Sequence, residues 1–150
     1  MEKETQGIKI ITNNKKAHFN YFLEQFFECG IELKGSEIKS LRQNNCSLND
    51  SYVIIKKREA FILNMHIAQY DKSSIFNHEE LRTRKLLLHK KEILKIENSI
   101  KLDRYTCVPT KVYFKKGKCK VEIAIAKSKK LYDKRETIKE RDLKRTLKNV

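Results

Sequence analysis

Two runs near the end of the chain decide the fold: Thr106-Cys107-Val108-Pro109-Thr110-Lys111-Val112-Tyr113-Phe114 and Lys118-Cys119-Lys120-Val121-Glu122-Ile123-Ala124-Ile125-Ala126, joined by Lys115-Lys116-Gly117. In the second run Val121, Ile123 and Ile125 alternate with Lys120, Glu122 and Ala124, the period of a strand with one buried face. A Gly-containing link between two such runs predicts an antiparallel hairpin. Just before it, Ile93, Ile96 and Ile100 recur at helical spacing, with Leu94 widening the stripe, so Lys90 to Leu102 predicts an amphipathic helix.

Further outward, Ser51 to Lys57 and Ala60 to Ile67 read as a first hairpin through Lys57-Arg58-Glu59, with Tyr52, Ile54, Phe61 and Leu63 alternating. Asp71 to Glu80 reads as a polar loop. Ser36 suits an N-cap for a short helix through Arg42, with Ile38 and Leu41 as its buried side. From Phe19 to Leu33 the apolar residues are nearly continuous. Phe19, Tyr21 and Leu23 have strand period, as do Cys29, Ile31 and Leu33, while Phe22, Phe26 and Phe27 keep a helix open for Tyr21 to Phe27. Ile8 to Thr12 reads as a short strand, punctuated by Asn13 and Asn14. Five or six short antiparallel strands with two or three flanking helices give a β-rich α+β chain. A small OB-like barrel is the economical arrangement, because closure removes exposed strand edges.

Composition bounds the function. The 150 residues suit one domain and allow a real core. The formal charge of +15 and the pI of about 9.7 point to a polyanionic partner, with RNA foremost. Lys127 to Val150 carries ten basic and four acidic side chains and no Gly or Pro. It reads as a basic tail, disordered when free and ordered on a polyanion, following a barrel over residues 1–126. No run approaches the ~18 apolar residues of a membrane span. The polar start Met1-Glu2-Lys3-Glu4-Thr5-Gln6 gives no secretory signal, so the expected location is the cytoplasm. Cys29, Cys46, Cys107 and Cys119 are scattered without a CxxC pair. With His18, His66, His78 and His89 equally isolated, no metal site or other cofactor site is written here. Clustered carboxylates, a P-loop and a GxGxxG are all missing, which argues against a nuclease or RNA-modifying enzyme.

Five blocks in order carry a family resemblance: Asn14-Lys15-Lys16-Ala17 followed by Tyr21; Glu28-Cys29-Gly30 through Gly35-Ser36-Glu37-Ile38-Lys39-Ser40-Leu41-Arg42; Asp50-Ser51-Tyr52; Arg82-Thr83-Arg84-Lys85-Leu86-Leu87-Leu88-His89-Lys90; and Lys129-Lys130-Leu131-Tyr132-Asp133-Lys134-Arg135. Over roughly residues 8 to 142 the chain resembles the bacterial SsrA-binding protein (small protein B) family. The resemblance implies a non-enzymatic adaptor on an OB-like barrel. Such a protein binds the tRNA-like domain of transfer-messenger RNA and brings it to stalled ribosomes. Its tail turns helical in the empty mRNA channel of the small subunit. Elongation factor Tu and alanyl-tRNA synthetase are implied as further partners.

By the same resemblance Asn14, Lys15, Glu28, Leu87 and Lys120 belong to the RNA-binding surface, and Lys39 and Arg42 add basic charge on a helix face. Lys129, Lys130, Tyr132, Asp133, Lys134, Arg135, Lys139 and Arg141 belong to the ribosome-binding tail. Bland readings stand beside these. Glu28 is equally a strand carboxylate paired with a Lys, Asn14 a turn residue, and Lys39 and Arg42 a solvated face. Which of Leu86, Leu87 and Leu88 faces solvent stays open. A ribosomal structural protein with a basic extension is the competing function. The chain also departs from the family where glycines are expected, with Arg58 in the first hairpin, Gln43-Asn44 after Arg42, Arg104 before the last hairpin and Ser128 before the paired lysines; Tyr132 stands for a His. Where those turns need φ > 0, losing Gly removes backbone freedom.

Overall fold

The structure is a computed structural model that describes residues 8–70 and 77–148. Nine strands and four helices are formed among them: β1 (Ile8–Asn13), α1 (Lys15–Asn20), β2 (Tyr21–Ile31), α2 (Gly35–Arg42), β3 (Cys46–Ser47), β4 (Tyr52–Lys56), β5 (Glu59–Leu63), β6 (His66–Ile67), β7 (Arg84–Leu87), α3 (Lys90–Asp103), β8 (Thr106–Lys115), β9 (Lys118–Ser128) and α4 (Leu131–Lys148). The main sheet runs β1-β8-β4-β5-β7-β2-β9, all antiparallel, and β9 pairs back onto β8. Six strands thus close into a barrel, and β1 extends the edge of β8 beyond the point where β4 leaves it. Closure is the economy that the run of short strands predicts.

The β8–β9 hairpin is the longest ladder, from Thr106↔Ala126 to Lys115↔Lys118. Val121, Ile123 and Ile125 face the core, as the alternation predicts, but Ala124 and Ala126 are buried too. Small Ala side chains fit there because the outer face of β9 is covered: Ala126 packs with Ala17 of α1 and Val108. The register shifts between Pro109 and Lys111. Proline lacks the N–H a ladder needs, so a bulge is where it is tolerated.

The barrel core is built by Cys29, Ile62, Leu86, Val112, Val121 and Ile123, capped by Leu41 of α2 and Ile96 of α3. Tyr21 to Phe27 is strand, which settles the open helix alternative. In α3, Ile93 and Ile96 are buried and Ile100 is partly so. Leu94, expected to widen the stripe, is instead 45% exposed, because the barrel receives only the narrow seam of a surface helix.

The helix expected from Ser36 starts earlier, with Lys34 as N-cap. Glu37 reaches back to accept from the Lys34 N–H at 2.7 Å, half of a capping box. Ser36 bonds His78 Nδ1 at 2.8 Å instead. Leu41 is buried as expected, Ile38 only partly, and the buried side also takes Glu37 and Ser40. The first hairpin ends at Leu63. Asn64 turns with φ 59°, and His66–Ile67 leaves to pair with β3. Of the loop expected over Asp71 to Glu80, residues 71–76 lie outside the described residues, and 77–80 are irregular.

Candidate nucleic-acid interface

Gly30 organises the face that carries three of the expected RNA-binding residues, Glu28, Leu87 and Lys120. It pairs with Leu87 of β7 on one side and Lys120 of β9 on the other. A Cβ at Gly30 would lie 3.3 Å from the Leu87 Cβ, so only glycine lets the Leu87 side chain lean across β2 unhindered. Glu28 stands two residues back on the same outward face. The triple leucine is resolved by this register. Leu86 is buried, Leu88 partly so, and Leu87 is 49% exposed. Glu28, Leu87 and Lys120 all line one open cleft of about 560 Å³, together with Arg58, Lys85 and Lys90.

The Glu28 carboxylate has protein partners on one oxygen. Oε2 accepts from the Tyr113 hydroxyl and, at 3.5 Å, from Lys115 Nζ. The Tyr113 bond chiefly, with Lys115 and Lys120 nearby, holds Glu28 below the ordinary carboxylate range against the opposing effect of burial. Burial first, and then the same contact, push the Tyr113 phenol up. Glu28 is therefore a fixed anion whose Oε1 has no hydrogen-bond partner among the described residues. At the edge of the cleft that oxygen is an acceptor for amino or hydroxyl donors. Glu28 thus pairs with a Lys, as the plainer reading of it expected, and keeps one oxygen available.

Asn14 sits elsewhere and is 3% exposed. Its Nδ2 donates to the Pro109 carbonyl at 2.8 Å and the Leu48 carbonyl at 3.2 Å, and its Oδ1 accepts from the Ala17 N–H as the N-cap of α1. The Asn14 N–H donates to the Thr110 carbonyl at 2.8 Å, within the bulge between Pro109 and Lys111. Its side-chain donors are thus spent on the fold, and what Asn14 does is set the start of α1. Lys15 follows it, exposed. Asn14 lines the floor of a second cleft of about 530 Å³ with Phe19, Tyr21 and Tyr52. Lys39 and Arg42 are exposed on α2, in neither cleft. Lys39 Nζ lies 5.5 Å over the Tyr70 ring, and the Arg42 carbonyl accepts from Lys9 Nζ at 3.4 Å.

The tail continues from β9, two residues beyond the expected boundary, into α4. Asp133 caps its start by accepting from the Lys130 N–H at 3.2 Å. Lys129 is tied to the barrel. Its N–H donates to the Asn20 carbonyl at 2.8 Å, its Nζ to Thr137 at 2.7 Å and the His18 carbonyl at 3.4 Å, and it lies 5.0 Å over the Phe22 ring. Arg141 lies 5.2 Å over Phe19. Lys139 pairs with Glu136 at 3.6 Å. Lys130, Tyr132 and Arg135 are exposed, Tyr132 at 70%, and Lys134 is partly covered.

Sequence reading missed the support behind the cleft. Glu37 and Arg84, both fully buried, pair at 2.5 Å, and Arg82 closes on the other Glu37 oxygen at 2.6 Å. It also missed the cleft residues Arg58, Lys85 and Lys90. For Lys85 the signal was its alternation with Leu86 in the RTRKLLLHK block. Three of the positions where glycine is expected do take φ > 0: Asn44 at 62°, Arg58 at 61° and Arg104 at 58°. Ser128 ends a strand and has no such need. Among the described residues, no His/Cys/Asp/Glu group is placed to hold a metal, and no helix is long and apolar enough to cross a membrane.

These features define a class: a basic, OB-like barrel with a charged cleft on its outer face and a helical basic extension. The SmpB protein family model matches residues 11–150, and the chain belongs to that family. It is 59% identical to the SsrA-binding protein of Acholeplasma laidlawii, over 92% of this chain and 93% of that one. It is 52% identical to that of Caldanaerobacter subterraneus, over 98% and 93%. A solved structure described as "tmRNA-SmpB: a journey to the center of the bacterial ribosome" superposes with a TM-score of 0.68 at 36% identity, covering 80% of this chain and 85% of that one.

Proposed function

We propose that this chain is the RNA-binding adaptor of trans-translation, acting in the cytoplasm and without catalysis. It binds the tRNA-like domain of transfer-messenger RNA and brings it to stalled ribosomes. The observation that carries this reading is a family match that runs through both barrel and tail, joined to relatives that are SsrA-binding proteins. The cleft is suited to the task. Leu87 offers an apolar surface for a sugar or unstacked base, Glu28 accepts from base amino groups or a 2′-hydroxyl, and Lys120 neutralises phosphate. Asn14 contributes by holding α1, and Lys15 with it, in place. Lys130, just before α4, and Asp133, Lys134, Arg135 and Lys139 within it follow the family's tail element, and the tail's part is to sense the empty mRNA channel. Elongation factor Tu and alanyl-tRNA synthetase complete the proposed set of partners.

The test is a gel-shift titration of the isolated tRNA-like domain beside bulk tRNA at several salt concentrations. Selective binding is expected, weakening steeply with salt as counterions are released. Removal of residues 131–150 should leave this binding largely intact and abolish rescue of stalled ribosomes. Equal, weak binding of both RNAs would favour a ribosomal structural protein. Loss of RNA binding on truncation would refute the division of labour between barrel and tail.

A further inference from the structure

We propose that Arg58 is a phosphate-binding residue of the RNA cleft, held there by a turn whose backbone the residue itself disfavours. The inference rests on the RNA-binding reading and adds a wall to the site. The β4–β5 hairpin closes at Lys56↔Glu59 through only Lys57 and Arg58. Both have positive φ, 52° and 61°. Two-residue loops of this kind are ordinarily filled by Asn-Gly or Asp-Gly, because other side chains crowd the backbone in the left-handed region. Here a Lys and an Arg occupy both positions, and the second stands where the family resemblance leads one to expect glycine. A strained residue at a turn invites the question of what its side chain does.

Arg58 is exposed and lines the cleft with Glu28, Leu87, Lys90 and Lys120. The cleft's carboxylates already have partners. Glu28 takes Tyr113 and Lys115, Glu59 takes Lys85 at 3.7 Å, and Glu92 takes the His89 N–H at 3.1 Å. Among the described residues, the side chains of Arg58, Lys90 and Lys120 make no hydrogen bond or ion pair with another residue. Glu92's partner is a neutral N–H, so its charge stands against those of the three cations; the balance is positive and comes from three separate elements, the β4–β5 turn, the start of α3 and β9. They flank the apolar surface of Leu87. That arrangement suits a sugar-phosphate backbone crossing the cleft, with the guanidinium able to grip a phosphate by two parallel hydrogen bonds.

The experiment compares the full chain with R58G and R58K, using the isolated tRNA-like RNA in a salt titration and thermal unfolding of each protein. Glycine relaxes the turn, so R58G should melt no lower than the parent. Its RNA affinity should fall roughly 3–10-fold near physiological salt, with the slope of log K against log[salt] shallower by about 0.7–0.9. R58K keeps the charge and should keep the slope. A parent that binds this RNA while R58G binds equally well with the same slope would overturn the role of Arg58 alone. A lowered melting temperature in R58G would assign Arg58 to the fold and equally overturn it. A parent that does not bind this RNA selectively would refute the RNA-binding reading, and the inference with it.

Discussion

Replacing Glu37 by Gln tests whether the cleft stands on a buried ionic frame. Glu37 and Arg84 are both fully buried. Arg84 uses its whole guanidinium: Nε to Glu37 at 2.5 Å, Nη1 to the Met65 and Arg82 carbonyls at 2.6 and 3.1 Å, and Nη2 to those of Glu79 and Glu80, each at 3.4 Å. Glu37 in turn receives Arg82 and the Lys34 N–H, so it joins α2 to β7. Glutamine keeps the volume and removes the charge, leaving Arg84 without its counter-ion in the interior. Breaking one side of a buried pair costs about 3–5 kcal/mol, a large part of the ~5–15 kcal/mol that holds a domain together. At ~2–4 °C per kcal/mol for a chain of this size, the melting temperature should fall by roughly 6–20 °C. Urea unfolding followed by circular dichroism should show a lower midpoint with unchanged m. Arg84→Met should lose a similar amount. The double variant should lose less than the sum by about 0.5–3 kcal/mol, since each single change strands the other partner. Burial pushes the Glu37 carboxyl up, but the bonds from Arg82 and the Lys34 N–H and the charge of Arg84 outweigh it and hold it below the ordinary range. Its stabilisation is therefore complete above the unfolded carboxylate pKa of about 4.3 and is lost as pH falls through the lower folded value. The variant should lack that part of the acid transition. A Glu37→Gln loss under about 1 kcal/mol, or strict additivity in the cycle, would refute the account.

Leu87→Ala should weaken binding of the tRNA-like RNA roughly fivefold, from about 1 kcal/mol for the half of the side chain still open to cover. Its melting temperature should stay near that of the parent, because Leu87 is 49% exposed in the free protein; a large stability loss would place it in the core instead. The four thiols should resist alkylation in the native state. Burial raises Cys46, Cys107 and Cys119 to about 12 and Cys29 higher still, so almost no thiolate exists at pH 8. All four should label in urea, and rapid labelling of the folded protein would contradict the burial described here.

Periodicity made the long elements legible. The β8–β9 hairpin and α3 are each long enough for an alternation or a helical stripe to recur, and both lie where the pattern puts them. Short elements were not legible. The six residues of α1 hold too little pattern, and Asn14 fixes them through carbonyls of residues 48 and 109, far along the chain. The two-residue strands β3 and β6 exist only because each has the other. The site was half legible. Glu28, Leu87 and Lys120, which the resemblance brought to notice, do meet in one cleft. Asn14 came to notice the same way, yet its side chain is committed inward. Glu37 and Arg84 were invisible, because a charged residue in a sequence reads as surface unless its partner is known.

This division of charge explains how so basic a chain keeps a defined barrel. The formal charge of +15 would work against compaction if all of it were free. The interior instead holds a balanced set, with Glu37 fully enclosed between Arg84 and Arg82. On the surface, isolated pairs such as Lys111–Glu122 at 3.2 Å and Lys85–Glu59 at 3.7 Å quiet individual strands; each is worth little to stability by itself. The cations left over are not scattered at random. Arg58, Lys90 and Lys120 ring the cleft, and exposed Lys and Arg side chains line α4. Substitutions in the interior set should therefore move stability, and substitutions among the cleft cations should move RNA affinity and its salt dependence. Arg58 tests that separation most sharply. There the backbone and the side chain pull in opposite directions, so lost affinity without lost stability is expected from the same change.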